Sequence, residues 1–230
     1  MFNLVQHNYK SDLIDTPFFK FGFGTKHTSK LDYQFPLIQN IINLHQVHGD
    51  QISVIDSYKS DLLMTSDKAD GLITSLKNIV LVIKTADCVP IIFFDEVKRR
   101  IGISHQGYKG TLLKLSEKMV KKMQDLGSDI KDIKALIGPA ICEKCYIITG
   151  KRLKEFKEKF VIKDDLINLK ELNRKILLSS GLRKENIDMS LLCTSCNSDL
   201  FYSYKRDQTH TWMVNFVFLY NKSHEINKGI

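Results

Sequence analysis

Apolar residues in this chain come in short blocks broken by Gly, Asp and Lys, which predicts brief strands with a few helices. Residues 22–27 break the apolar start with a flexible, basic loop. Residues 38–47 form an apolar run whose expected pairing partner is 51–56, where Ile52, Val54 and Asp56 share one face. Ala69-Asp70-Gly71 reads as a turn, and Leu72-Ile73-Thr74 as a short strand. Residues 79–85 are rich in Val and Ile, as in a buried strand. Ala86-Asp87-Cys88 interrupts that run and 90–94 resumes it, while 100–105 supplies another strand. Gly110 opens an amphipathic helix in which Leu112, Leu115, Met119, Val120 and Met123 recur mostly every three or four positions, and Gly127 ends it. Residues 135–137 form a strand capped by Gly138-Pro139. Residues 151–160 and 166–179 read as helices, the second closed by Gly181. Residues 201–204 and 212–220 look like final strands. Adjacent strands are as common as strand–helix alternation, which favours an α+β or mixed-sheet fold over a doubly wound parallel sheet.

Composition narrows the setting. At 230 residues with 43% hydrophobic content, the chain can bury a large core. No stretch reaches the roughly 20 apolar residues that cross a bilayer, and no signal-peptide pattern opens the sequence, so a soluble cytoplasmic protein is expected. The net charge is +8, from 34 Lys+Arg against 26 Asp+Glu, which attracts anions such as phosphate and nucleotides. No repeat of aromatic and basic residues accompanies it, so no nucleic-acid partner is expected. Five Cys, an odd number without a secretion signal, are better treated as thiols than as disulfides.

Three segments carry candidate chemistry: His45-Gln46-Val47-His48-Gly49, Ala86-Asp87-Cys88 and Ser104-His105-Gln106-Gly107. Each places an imidazole or thiol where a strand-like run ends. Two His and a Cys can form the shell of a catalytic zinc with an open position. The same atoms allow a second arrangement, with Cys88 as a thiolate nucleophile activated by His105 and an adjacent carboxylate such as Asp87. The spacing of His48, Cys88 and His105 is not that of a local metal motif, so any convergence comes from the fold. Cys142-Glu143-Lys144-Cys145 and Cys193-Thr194-Ser195-Cys196 are two CxxC pairs, but their separation far exceeds the roughly 15–20 residues of a zinc ribbon, which argues against a shared site. Lys109, beside a helix start, and Lys26 with His27 are candidate anion contacts. Arg206 and Asp207 either join them or simply pair and brace a turn.

HQVHG, ADGLIT, TADCVPIIF, HQGYKG, IGPAI and CTSCNSDLFYSYKRD, in this order over about 21–219, resemble the laccase-domain (YfiH-type) family, which includes purine nucleoside enzymes and a class called peptidoglycan editing factor. The resemblance implies a single domain over 1–230. Its implied fold is a four-layer α/β/β/α sandwich with mixed sheets, similar to the cysteine-hydrolase domain of cytotoxic necrotizing factor. It further implies zinc held by His48, Cys88 and His105. The implied activities are phosphorolysis of adenosine, inosine, guanosine and methylthioadenosine, and deamination of adenosine.

On that reading Cys88, His105 and Asp87 are the catalytic candidates, with Asp70 as another possible acid. Lys26, Gln46, Lys109 and Arg206 are the substrate-binding candidates. A monomer or weak homodimer is expected. The alternatives are a hydrolase that edits a peptidoglycan precursor through Cys88, and a non-catalytic zinc protein with a basic docking face. The older laccase label implies copper, but the His-rich clusters that several copper ions need are missing. The chain departs from the family at four places. HAGWRG is here HQGYKG, so Lys109 stands for an Arg and lacks its bidentate fork. Ile147-Ile148-Thr149-Gly150 stands where Glu-Val-Gly is usual, and His210-Thr211-Trp212 where Thr-Gly-Arg is expected. The segment between Ser29 and His45 is short, without the helix that normally precedes HQVHG.

Overall fold

The computed structural model describes residues 2–5, 8–11, 13, 18–28, 40–58, 63–162, 164–208 and 210–219. Its strands are β1 Phe2–Val5, β2 Asn8–Ser11, β3 Phe19–Phe23, β4 Asn40–His45, β5 Ile52–Ile55, β6 Leu63–Lys68, β7 Gly71–Thr74, β8 Ile79–Thr85, β9 Val89–Asp95, β10 Arg100–Gln106, β11 Ile133–Ile137, β12 Ile187–Met189 and β13 Met213–Leu219. The helices are α1 Tyr108–Leu112, α2 Leu115–Asp125, α3 Gly150–Lys159, α4 Leu169–Ser179 and α5 Tyr204–Asp207. One sheet has the order β1-β2-β3-β13-β8-β4-β6 and the other β12-β11-β9-β10-β7-β5. Both mix parallel and antiparallel pairs, as the α+β reading expects.

The sheets stack face to face. Phe19, Phe21, Phe23, Leu81 and Ile83 from one meet Leu72, Ile92, Phe94, Ile101 and Leu136 from the other in one buried cluster. Phe94 takes both Phe19 and Phe21 edge-on at 5.4 Å between centroids, a favoured aromatic geometry. The outer face of the second sheet packs Ile73, Ile91, Phe93 and Ala135 against Leu115, Met119 and Met123 of α2 and Leu169 and Leu172 of α4. Val80, Val82, Val214, Phe216 and Phe218 form a smaller cluster on the outer face of the first sheet. The short segment before HQVHG falls mostly outside the described residues.

The structure corrects several expected elements. β4 does not pair with β5: it lies between β6 and β8, while β5 pairs with β7 in the other sheet. His48, at φ 59°, turns the chain across from one sheet to the other. The 79–94 run is likewise two strands in different sheets, with the crossing at Asp87, φ 86°. Alternation signals a strand but carries no sheet assignment, so these crossings were illegible as such. Residues 22–27 are not a loose loop but the end of β3 and a 3₁₀ turn, Lys26–Thr28.

The helix expected from Gly110 is two helices, broken where Lys114 is left-handed at φ 54°. Buried Asn173 of α4 spans the break, donating to Thr111 Oγ1 and accepting from Ser116 Oγ. Residues 201–203 are irregular and lead into α5 rather than forming a strand, because Ser203 caps that helix through Arg206 N.

Candidate metal centre and active site

The two sheet crossings and the end of β10 meet. His48 leaves the first crossing, Cys88 the second, and His105 is the penultimate residue of β10. One donor atom from each lies within 4.8 Å of the others. The two imidazoles stand edge to face with centroids 4.7 Å apart. His48 is exposed, Cys88 half-buried and His105 buried, so the group opens to solvent on the His48 side. Gly107 makes the approach possible. A Cβ there would stand 3.1 Å from His48 Cδ2 and 3.3 Å from Cys88 Sγ.

Asp70, fully buried before β7, organises the group. Its carboxylate accepts the amides of Val47 at 3.2 Å, His48 at 3.0 Å and Gly49 at 2.6 Å, fixing the HQVHG turn. It also accepts from His105 Nδ1 at 2.8 Å. With Nδ1 committed to Asp70, Nε2 is the ring atom left to face a metal, the arrangement of a metal-ligating His held by a carboxylate. Burial works against the Asp70 charge, but His105 and the Gly49 and Val47 amides win and hold it below the usual carboxylate range. In this structure Asp70 acts as an acceptor that orients His105 and the HQVHG turn.

Burial alone would raise the Cys88 thiol, yet the charges and hydrogen bonds of His105 and His48 outweigh it and bring it down to about 6. Burial would lower His105, but the Cys88 thiolate and Asp70 push it up to about 9. The donor set of two imidazoles and a polarised thiol fits zinc, with fewer than four protein ligands as in catalytic zinc sites. A multi-copper centre fits poorly: among the described residues the only groups able to hold a metal are this one and a four-cysteine cluster, and neither is His-rich.

The remaining candidates divide. Asp87 stands beside Cys88 but commits Oδ1 to the Thr194 hydroxyl and Oδ2 to the Lys205 amide, both at 2.7 Å. Gln46 donates to Lys84 O and accepts from Lys84 N, both at 2.8 Å, so its side chain continues the β4–β8 pairing beyond β4. Arg206 spends all five donors on Thr194 O, Ser195 O, Phe201 O and Asp207. These contacts brace a turn. Lys26 lies over the Tyr202 ring, 5.2 Å from its centroid. Lys109 flanks the Tyr108 ring, with Nζ 5.9 Å from its centroid.

Two residues escaped the sequence reading. Arg152 of α3 stacks on Tyr108 at 4.5 Å, adding a guanidinium beside Lys109. Tyr146 is electrostatically coupled to Cys88, Arg152, Tyr108 and Asp87; burial, with the Cys88 thiolate, pushes its phenol up to about 12, so it keeps its proton. Neither sits in a recognisable motif. Only their position after the Cys142–Cys145 pair, a segment that returns to the site, could have signalled them.

A family model described as multi-copper polyphenol oxidoreductase laccase matches residues 26–219. The purine nucleoside phosphorylase YlmD of Bacillus subtilis is 40% identical over 161 residues, which span 64% of this chain and 58% of YlmD. A purine nucleoside phosphorylase of Borreliella burgdorferi is 35% identical over 81% of this chain and 83% of its own. Adenosine deaminase RL5, from an unknown prokaryotic organism, is 29% identical over 74% of this chain and 71% of its own. The crystal structure of YlmD from Geobacillus stearothermophilus shares the fold with a TM-score of 0.82 at 24% identity, over 96% of this chain and 99% of that one.

Proposed function

This chain belongs to the laccase-domain family, and from that premise we propose that it is a zinc-dependent purine nucleoside enzyme. Its activities are phosphorolysis of adenosine, inosine, guanosine and methylthioadenosine, and deamination of adenosine. The observation that carries the reading is the convergence of His48, Cys88 and His105 on one point, with Asp70 locking His105 from behind. Relatives that bear the names purine nucleoside phosphorylase and adenosine deaminase support the substrate class.

His48, Cys88 and His105 would hold the zinc. When bound, zinc with an open position polarises a substrate oxygen or lowers the pKa of a water. The protein's own groups do the rest. Asp70 fixes the His105 tautomer and the HQVHG turn. Asp87 positions the Cys88 loop against Thr194 and Lys205. Lys109 and Arg152, both against the Tyr108 ring, supply positive charge for phosphate, and Arg152 restores the planar fork that Lys109 lacks. Tyr146, which keeps its proton, is a candidate hydrogen-bond donor to a reacting purine nitrogen.

Incubation of purified protein with adenosine and phosphate, followed by chromatography, tests the reading. Adenine, inosine or hypoxanthine should form, and His48→Ala, Cys88→Ala or His105→Ala should abolish both zinc and turnover. Full turnover in the triple variant overturns it. A second reading is favoured by the hydrogen-bonded series Cys88–His105–Asp70, which has the order of nucleophile, base and orienter. On that reading the chain edits a peptidoglycan precursor. Turnover of a muramyl-peptide precursor, with no product from any nucleoside, selects it.

A further inference from the structure

The two CxxC pairs, set apart by their spacing in sequence, converge in space. Cys142, Cys145, Cys193 and Cys196 are all free thiols, and their sulfurs lie within 4.8 Å of one another. The topology explains it. β11 and β12 are parallel neighbours, with Ile137 beside Met189, so the loops that follow them leave the sheet at the same end. Ala140 and Cys193 continue the pairing as an isolated parallel bridge. A ribbon spacing rule describes one local hairpin. Here β12 brings the second pair back after two intervening helices.

We propose that these four cysteines hold a structural zinc ion, separate from the His48–Cys88–His105 group, and that this ion fastens the loop supporting Asp87. Four thiolates fill a tetrahedral shell and leave no open position, which is the mark of a structural site. With Zn–S near 2.3 Å, the sulfurs of a tetrahedral site stand about 3.8 Å apart. Cys145 and Cys196 are 3.5 Å apart, and Cys142 and Cys196 4.0 Å. The backbone is folded as for ligation. The amides of Cys145 and Tyr146 turn back to Cys142 O, and those of Cys142 and Cys196 donate to Cys193 Sγ at 3.2 and 3.4 Å.

The surroundings match the charge. Zinc with four thiolates carries a net charge of about −2. Lys170 of α4 is buried, donates to Ser190 O and Leu192 O just before Cys193, and interacts electrostatically with Cys193, Cys142 and Glu143. A buried ammonium calls for a nearby anion, and the thiolate cluster provides one. An S₄ set suits zinc or iron; solvent exposure of Cys196 favours the redox-inert ion.

The cluster is tied to the active site by one step. Thr194, between Cys193 and Cys196, donates its hydroxyl to Asp87, the residue before Cys88. Arg206 Nη1 donates to the Thr194 and Ser195 carbonyls in the same turn.

Elemental analysis of the His48→Ala/Cys88→Ser variant, purified without chelator, tests the proposal. It should retain one zinc per chain, and its cobalt-substituted form should show the intense visible bands of a tetrahedral four-thiolate site. Adding Cys142→Ser and Cys196→Ser should remove the metal and lower the melting temperature. Retention of iron in place of zinc, a mass shift indicating a disulfide, or four freely reactive thiols with no metal in the first variant would each overturn it. The first variant decides the matter even if the fourfold variant fails to fold. Wild-type zinc that is lost with Cys142 but not with Cys88 would sink the catalytic-zinc reading and leave this one standing.

Discussion

Asp70 accepts a 2.8 Å hydrogen bond from His105 Nδ1 with the same carboxylate that gathers the amides of Val47, His48 and Gly49. One buried charge therefore sets both the orientation of one imidazole and the turn that presents the other. Asp70→Asn keeps the shape but exchanges an acceptor oxygen for a donor facing other donors. Loss of such a buried, charge-assisted partner costs about 1–3 kcal/mol, and loss of a carboxylate behind a ligating His weakens metal binding about 10- to 100-fold. Chelator competition should show the weaker zinc affinity, and chemical denaturation the lower stability. Unchanged zinc affinity would contradict this role.

Gly107 lies against both His48 and Cys88, so its missing side chain is part of the site. In Gly107→Ala the new methyl meets His48 Cδ2 at 3.1 Å and Cys88 Sγ at 3.3 Å, and the ligands shift by a few tenths of an ångström. The backbone at this position is extended, so the fold tolerates the change. Catalytic geometry does not: kcat/KM should fall by about ten- to a hundredfold while the melting curve stays close to wild type. Steady-state kinetics beside calorimetry makes the comparison.

How much of this was legible in the sequence depended on whether the signal was local. β8, β9, β10 and β13 are apolar nearly throughout and were located to within a few residues, because a strand buried on both faces announces itself by composition. Gly127 and Gly181 end their helices with φ of 95° and 98°, as their positions implied. His48, Cys88 and His105 were identified as a possible group from their strand ends, and their convergence required the fold. The partners that decide what each residue does were not legible. Nothing in the order of residues shows that Gln46 spends its amide on Lys84, or that Arg206 spends its guanidinium on three carbonyls and Asp207. The spacing of the two CxxC pairs hides their proximity because the ribbon rule assumes contiguity, whereas parallel pairing of β11 with β12 supplies it instead.

Arg206→Lys separates bracing from substrate binding. A lysine ammonium has three donors on one atom and cannot span Thr194, Ser195, Phe201 and Asp207 together. The melting temperature should fall by about 5 °C, the scale on which loss of one or two kcal/mol appears in a chain of this size. The KM for phosphate should not change. A raised KM at unchanged stability would restore Arg206 as a substrate contact.

Arg152 is the converse case. It is exposed on α3, stacks on Tyr108 and stands with Lys109 around the same ring. If these two cations receive the phosphate, removing the guanidinium takes away binding shared equally by ground state and transition state. Arg152→Ala should then raise the KM for phosphate about tenfold with kcat nearly unchanged, and leave adenosine deamination, which uses no phosphate, at its wild-type rate. Raising the ionic strength should weaken phosphate saturation in the wild type more than in the variant, because one screened charge is already gone. Parallel losses in both reactions would instead place Arg152 in the nucleoside pocket.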